Sequence, residues 1–128
     1  MSELPTGWEL VEIRDVTEYV QRGKSPKYTD KSELPVINQK CVRWGGVDQA
    51  YLKFIHPDQW NAWSSERFLR EGDLLWNSTG TGTIGRAALF IKLKGYEKAV
   101  VDSHVTIVRC SKGCLPYYLH RTYALTEN

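Results

Sequence analysis

The sequence predicts an α+β domain: a twisted, mostly antiparallel sheet or partly open barrel, with a central short helix and a C-terminal helix. Three observations carry this. Short runs of β-branched and aromatic residues recur along the 128 residues, each closed by Gly or Pro. The run Ala99–Cys110 alternates with period two, setting Val101, Ser103, Val105, Ile107 and Arg109 against Val100, Asp102, His104, Thr106 and Val108. The two helices are placed at Pro57–Leu69 and Pro116–Leu125, so the strands and helices do not alternate as they would in a parallel α/β sheet.

In chain order, Leu4-Pro5-Thr6-Gly7-Trp8 is an opening turn that anchors a large aromatic, and Trp8–Ile13 reads as a strand. Asp15–Val20 is a short helical turn or an irregular strand. Gln21–Glu33 is polar and basic, punctuated by Gly23 and Pro26, and reads as a long surface loop. Leu34–Val42 resumes strand character until Gly45-Gly46 breaks it, and Tyr51–Ile55 is a further strand. Pro57 and Asp58 open a helix that runs to Leu69, because proline's missing N–H costs nothing in a first turn. Gly72-Asp73 turns into the buried strand Leu74–Trp76, and a Gly/Thr/Ser loop spans Asn77–Gly85. Ala87–Leu93 and Ala99–Cys110 are the best strand candidates, connected through Lys94-Gly95-Tyr96, and Pro116 begins the final helix. Trp8, Leu75, Trp76, Val105 and Ile107 are assigned to the core. The length supports one domain, residues 1–128, rather than two.

Composition narrows the class. Hydrophobic residues make up 41% and charged residues 25%, as in an ordinary folded domain. No apolar run approaches the roughly 20 residues that span a bilayer, and Met-Ser-Glu-Leu-Pro lacks the layout of a signal peptide. A cytoplasmic protein with no membrane partner is the expectation. Three cysteines cannot complete a disulfide framework. Cys110 and Cys114 with His104 and His120 could be drawn as a zinc site, but the spacing is not that of a knuckle, so small buried thiols and no metal are expected.

The net charge of +2 is small, yet it is unevenly spread. Residues 1–20 carry −4 and residues 45–76 carry −2, whereas residues 21–44 and 77–128 carry +4 each. Two basic blocks separated by an acidic one suit a polarised surface that meets an anionic ligand.

Gly80-Thr81-Gly82-Thr83-Ile84-Gly85 matches the dinucleotide-binding pattern letter for letter, with Asp102 near the position of a ribose-binding acid. The long helix that this motif should open is missing, since Ala87–Leu93 is short and apolar. As a phosphate-binding P-loop it fails as well: Arg86 supplies charge, but Ala87 cannot ligate a metal. The third reading is a tight glycine turn that presents Asn77, Ser78, Thr79, Thr81 and Thr83 at the surface, with glycines such as Gly82 admitting DNA close to the backbone. Catalytic constellations are scarce. Asp102, Ser103 and His104 are consecutive on a predicted strand, which points Ser103 away from the other two and rules out a local triad. Binding rather than catalysis is expected.

Six landmarks in order resemble the target-recognition domain of type I restriction-modification specificity subunits. They are Leu4-Pro5-x-Gly7-Trp8, Gly23-Lys24-Ser25-Pro26, Leu34–Val42, Gly72-Asp73-Leu74-Leu75-Trp76 with Ser78–Thr81 and Ile84–Ala87, Ala99–Val105, and Pro116-Tyr117-Tyr118-Leu119. The resemblance implies recognition of one half of a split target on duplex DNA. It implies modification (methylase) and restriction subunits as partners, a role in phage defence, and no catalysis in this chain. S-adenosylmethionine, ATP and Mg would belong to those partners, leaving no cofactor here. The family's long spacer helices and second recognition domain have no counterpart after Leu125, so a fragment, a truncated product or a half-subunit is expected.

Loop position and chemistry nominate the contacts. Lys24, Lys27, Lys40, Arg43 and Arg86 are candidates for phosphate or groove, and Ser25, Tyr28, Asn38, Gln39, Arg43, Trp44 and Thr79 for base edges. Asn77, Ser78, Thr81 and Gly82 complete the set through the glycine loop. Trp44 as a loop aromatic and Asn38 as a turn-capping amide are the alternatives. Two rival functions remain at this level: a nucleotide-binding enzyme using Gly80–Gly85, and a protein-interaction module docking on the methylase.

Overall fold

In the computed structural model, which describes residues 17–79 and 85–110, the strands sort into two four-stranded sheets and a hairpin. The first sheet runs in the order β1 (Thr17–Arg22), β10 (Val105–Cys110), β7 (Leu74–Asn77), β8 (Ala87–Leu89), with every pair antiparallel. The second runs β2 (Tyr28–Thr29), β6 (Lys53–Ile55), β3 (Pro35–Ile37), β9 (Val100–Val101), antiparallel except for the parallel β3–β9 pair. The hairpin is β4 (Val42–Arg43) with β5 (Gly46–Val47). The class is α+β, mostly antiparallel, and no closed barrel forms among the described residues.

The core explains the order. Ile37, Val101, Leu75, Val105 and Ile107 meet in one buried cluster, which joins the inner faces of the two sheets. Val36, Val100 and Ile55 face the other way and bury Trp63 and Leu34. β3 and β9 are thus covered on both faces, the usual condition of a parallel pair. This is why Val36-Ile37 and Val100-Val101 are apolar without alternation. The predicted alternation of Ala99–Cys110 fails for the same reason: Val105 to Arg109 are all buried on the central strand β10.

Several predicted elements are redrawn. Ala99–Cys110 is two strands, because the chain turns at Asp102–His104 and changes sheets. Leu34–Val42 is likewise interrupted, with a turn at Asn38–Cys41 between β3 and β4. Asp15–Val20 resolves in its described part as strand β1, irregular between Thr17 and Tyr19, which also takes in Gln21 and Arg22 from the predicted loop. The helix Pro57–Leu69 is instead two 3-10 turns, Pro57–Ala62 and Ser65–Arg67. Trp63 lies between them in an extended conformation (φ −105°, ψ 123°) that drives its indole into the core at 6% exposure. Burying that ring wins over continuing one helix. The predicted strand Trp8–Ile13, the residues Gly80–Ile84 and the helix Pro116–Leu125 lie outside the described residues.

Candidate nucleic-acid interface

The Asn38–Cys41 turn is built by its own side chains. Asn38 Oδ1 accepts from the Lys40 N–H at 2.9 Å, and Asn38 Nδ2 donates to the Tyr51 carbonyl at 2.6 Å. An amide that closes its own turn in this way is a local cap. Asn38 is 3% exposed, with both side-chain polar atoms bonded inside the loop, as the turn-capping alternative describes. Gln39 is half-buried and Lys40 is exposed. The Gln39 carbonyl accepts from Asn77 Nδ2 at 2.9 Å and from the Arg86 guanidinium at 3.2 Å, tying this turn to both ends of the glycine-rich loop. Asn77 is fully buried, so its predicted surface presentation is corrected as well. Arg86 keeps a buried Nε–H without an acceptor, and among the described residues it has no carboxylate partner.

Beyond that turn, Arg43 is exposed, with its Nε donating to the Lys40 carbonyl at 3.1 Å and its guanidinium 5.4 Å from the Tyr51 ring. Trp44 stands at the hairpin tip. Beneath them Cys41 is fully buried, and burial pushes its thiol up to about 11, which makes it inert at neutral pH.

Two connections between the sheets cross beside this surface. Gly23 donates to the Val105 carbonyl at 2.9 Å, and a side chain there would collide with the carbonyls of Val101 and Asp102. Only glycine lets residues 23–27 pass this close to the Asp102–His104 turn. Ser25 Oγ and Ser103 Oγ then pair at 2.9 Å, and Arg22 Nε donates to the Ser103 carbonyl. Lys24 and Lys27 already have partners: Lys24 Nζ reaches the Ala62 carbonyl at 2.8 Å and lies 4.7 Å from the Trp63 ring, and the exposed Lys27 pairs with Asp58 at 3.4 Å.

Asp102, Ser103 and His104 occupy a turn, not the strand predicted for them. Their side chains engage different partners. Asp102 Oδ1 accepts from the His104 N–H at 2.9 Å, and His104 Nδ1 meets Thr79 Oγ1 at 2.6 Å. Ser78 joins the same knot, accepting from Thr106 Oγ1 at 2.9 Å. Burial raises the Asp102 carboxyl, opposed by the His104 N–H and the charges of His104, Lys53 and Arg22. The exposed Tyr28 ring lies 5.2 Å from Lys53 Nζ. Desolvation and then Asp102 push its phenol up to about 12, so it stays an O–H donor at neutral pH.

The turns thus bring Ser25, Gln39, Lys40, Trp44, Ser78, Thr79 and Arg86 onto linked loops, with Tyr28 on β2 and Arg43 on β4. Thr81 and Gly82 lie outside the described residues. Arg22, Tyr51, Lys53, Ser103 and His104 join the surface without having been nominated. A signal existed for some of them: Arg22 belongs to the basic block, and Tyr51 and Lys53 hold alternate positions in the predicted strand Tyr51–Ile55. The large cleft of about 940 Å³ lies at the other end of β3, between Leu34, Trp60, Trp63, Phe68 and Tyr96. Lysines already face those rings, Lys98 over Phe68 and Lys31 over Tyr96. The loop surface, where Lys40, Arg43 and Arg86 have no carboxylate partner among the described residues, is the better anion-binding candidate.

The glycine-rich stretch connects β7 to β8, an antiparallel pair, whereas a dinucleotide fingerprint needs a strand-to-helix crossover. Among the described residues no three His, Cys, Asp or Glu side chains gather as a metal would need, and no helix is long and apolar enough to cross a membrane.

No protein-family profile and no curated protein matches the chain. Solved structures do. The chain is similar in fold to the HsdS subunit from Thermoanaerobacter tengcongensis, with a TM-score of 0.66 and 16% identity. The match covers 98% of this chain and 28% of that one, so the chain spans under a third of its structural neighbour.

Proposed function

We propose that this domain recognises duplex DNA and reads one half of a split target, as a module of a type I restriction-modification specificity subunit. One observation carries the reading. On an HsdS-like fold, the loops that tie the two sheets together bring Lys40, Arg43 and Arg86, which have no ion-pair partner among the described residues, beside hydroxyl and amide groups. Cations of this kind supply sequence-independent phosphate affinity, and hydroxyl and guanidinium groups read base edges. Methylation and cleavage then fall to the modification and restriction subunits, with their S-adenosylmethionine, ATP and Mg. The domain itself contributes address, not chemistry. Titrating a labelled duplex with the purified domain across a salt series tests the reading. Affinity that falls linearly in a log–log plot supports it, and absence of binding at low salt contradicts it.

A further inference from the structure

Lys53 is an exposed cation outside the nominated set, and it lines the same small cavity as Lys40. The cavity opens where β3 ends and β6 begins. The register Val36↔Lys53 sets those two strand ends side by side, so the Asn38–Cys41 turn and the Gln49–Leu52 stretch form its walls. Asn38 ties the walls together, donating to the Tyr51 carbonyl at 2.6 Å while its Oδ1 accepts from the Lys40 N–H at 2.9 Å. Lys40 and Lys53 are the charged residues of the lining, and no carboxylate joins them among the described residues. Asp48, close by in sequence, accepts from the Ala50 N–H at 3.0 Å and lies outside the lining. Lys53 Nζ lies 5.2 Å from the Tyr28 ring and makes no ion pair among the described residues; Asp102, which feels its charge, is 3% exposed. Arg43 adds a third positive charge beside the cavity, its guanidinium 5.4 Å from the ring of Tyr51.

Two ammonium groups on one cavity repel each other, and an anion between them turns that repulsion into attraction. At about 260 Å³ the cavity falls below the roughly 300 Å³ from which organic-ligand pockets start, yet it admits a tetrahedral oxyanion with its waters. We infer that this cavity seats a single phosphate of the DNA backbone, shared by Lys40 and Lys53. The inference rests on the DNA-reading function proposed above and adds to it a register point. A phosphate contact carries no sequence information, but it fixes where Gln39 and Arg43 stand relative to base edges.

The test is a salt series on a labelled duplex with wild type, Lys40→Gln, Lys53→Gln and the double variant, circular dichroism confirming that each folds. Each phosphate neutralised contributes about 0.9 to the log–log slope. A shared phosphate predicts that both single variants and the double variant all lose about 1 from that slope. Each single variant should bind about tenfold more weakly, and the double variant should lose less than the product of the two. A double variant that loses about 2 would mean two separate phosphates and overturn the shared seat, as would a Lys53→Gln slope equal to wild type; both leave DNA recognition standing. Adenosine monophosphate at matched ionic strength should not displace the duplex from wild type. Displacement that disappears in the double variant would reassign the cavity to a free phosphate ester. Failure of wild type to bind the duplex at low salt would overturn both the seat and the function it rests on.

Discussion

Asn77 Nδ2 donates to the main-chain carbonyl of Gln39 at 2.9 Å, across 38 positions of sequence, and so fixes where the Asn38–Cys41 turn stands on the first sheet. The donor is fully buried, and Arg86 reinforces it from the far side of the glycine-rich loop. Asn77→Ala removes the bond and leaves the Gln39 carbonyl with Arg86 as its remaining side-chain donor, which should cost about 0.5–1.5 kcal/mol in urea unfolding. DNA affinity should fall as well, since Lys40 loses its support. A variant as stable as wild type would show that the clamp contributes little.

Arg109 is a basic residue that DNA should not need. Its guanidinium makes two 2.9 Å bonds to Asp73 and donates to the carbonyls of Glu66 and Phe68, with both ionic side chains almost fully buried. Removing the carboxylate strands a buried charge, so Asp73→Ala should cost about 3–5 kcal/mol in equilibrium unfolding. A loss below about 1 kcal/mol, the scale of an exposed pair, would contradict this assignment.

Gly23 is where the two sheet connections nearly touch. Gly23→Ala forces the Asp102–His104 turn or residues 23–27 to shift, since backbone carbonyls and not a flexible side chain occupy the space. The expected cost is about 1–3 kcal/mol by thermal or urea unfolding, together with loss of the Ser25–Ser103 pairing. Unchanged stability would mean that the crossing is looser than described.

Asp102 provides a pH test with a definite sign. Burial raises its carboxyl in the folded state, so the fold retains a proton that the unfolded chain has already released. This group's contribution to stability is therefore most favourable below the ordinary carboxylate range and declines as pH rises through the folded pKa. Asp102→Asn keeps the acceptor for the His104 N–H and removes the penalty, so its Tm at neutral pH should match or exceed that of wild type, with a flatter acid profile. Tyr28, relieved of a negative neighbour, should ionise at lower pH in an ultraviolet titration. A Tyr28 titration that does not move would contradict this.

Lys40, Lys24 and Lys27 were nominated together, but the structure separates them. Lys24 and Lys27 already have protein partners, whereas the Lys40 ammonium has no hydrogen bond or ion pair among the described residues. Lys40→Ala should weaken DNA binding and reduce the log–log salt slope by about 1, and Lys27→Ala should change it less. Equal effects would show that DNA displaces Asp58 from Lys27.

The strand runs were legible because β-branched residues cluster wherever the sheets are buried on both faces, as in Val36-Ile37 and Val100-Val101. The breaks within those runs were not. Asn38 and Asp102 end strands by accepting backbone N–H groups two residues on, and one polar residue in an apolar run does not reveal that it will do so. The same local bonds explain the uneven site. Loop membership groups Gln39, Lys40, Arg43 and Trp44, but it does not reveal that Asn38 and Asn77 are buried. The contact of Ser25 with Ser103 spans 78 positions and depends on a strand order that pattern alone does not fix. Trp63 shows tertiary packing overriding helical propensity, since its burial splits one predicted helix into two turns.

The most direct measurement is selection of the purified domain on a random duplex DNA library at moderate salt. A half-site reader enriches one short ungapped motif, with retention that weakens as salt rises. Recovery of an unenriched pool, with no retention even at low salt, would contradict direct DNA recognition by this domain.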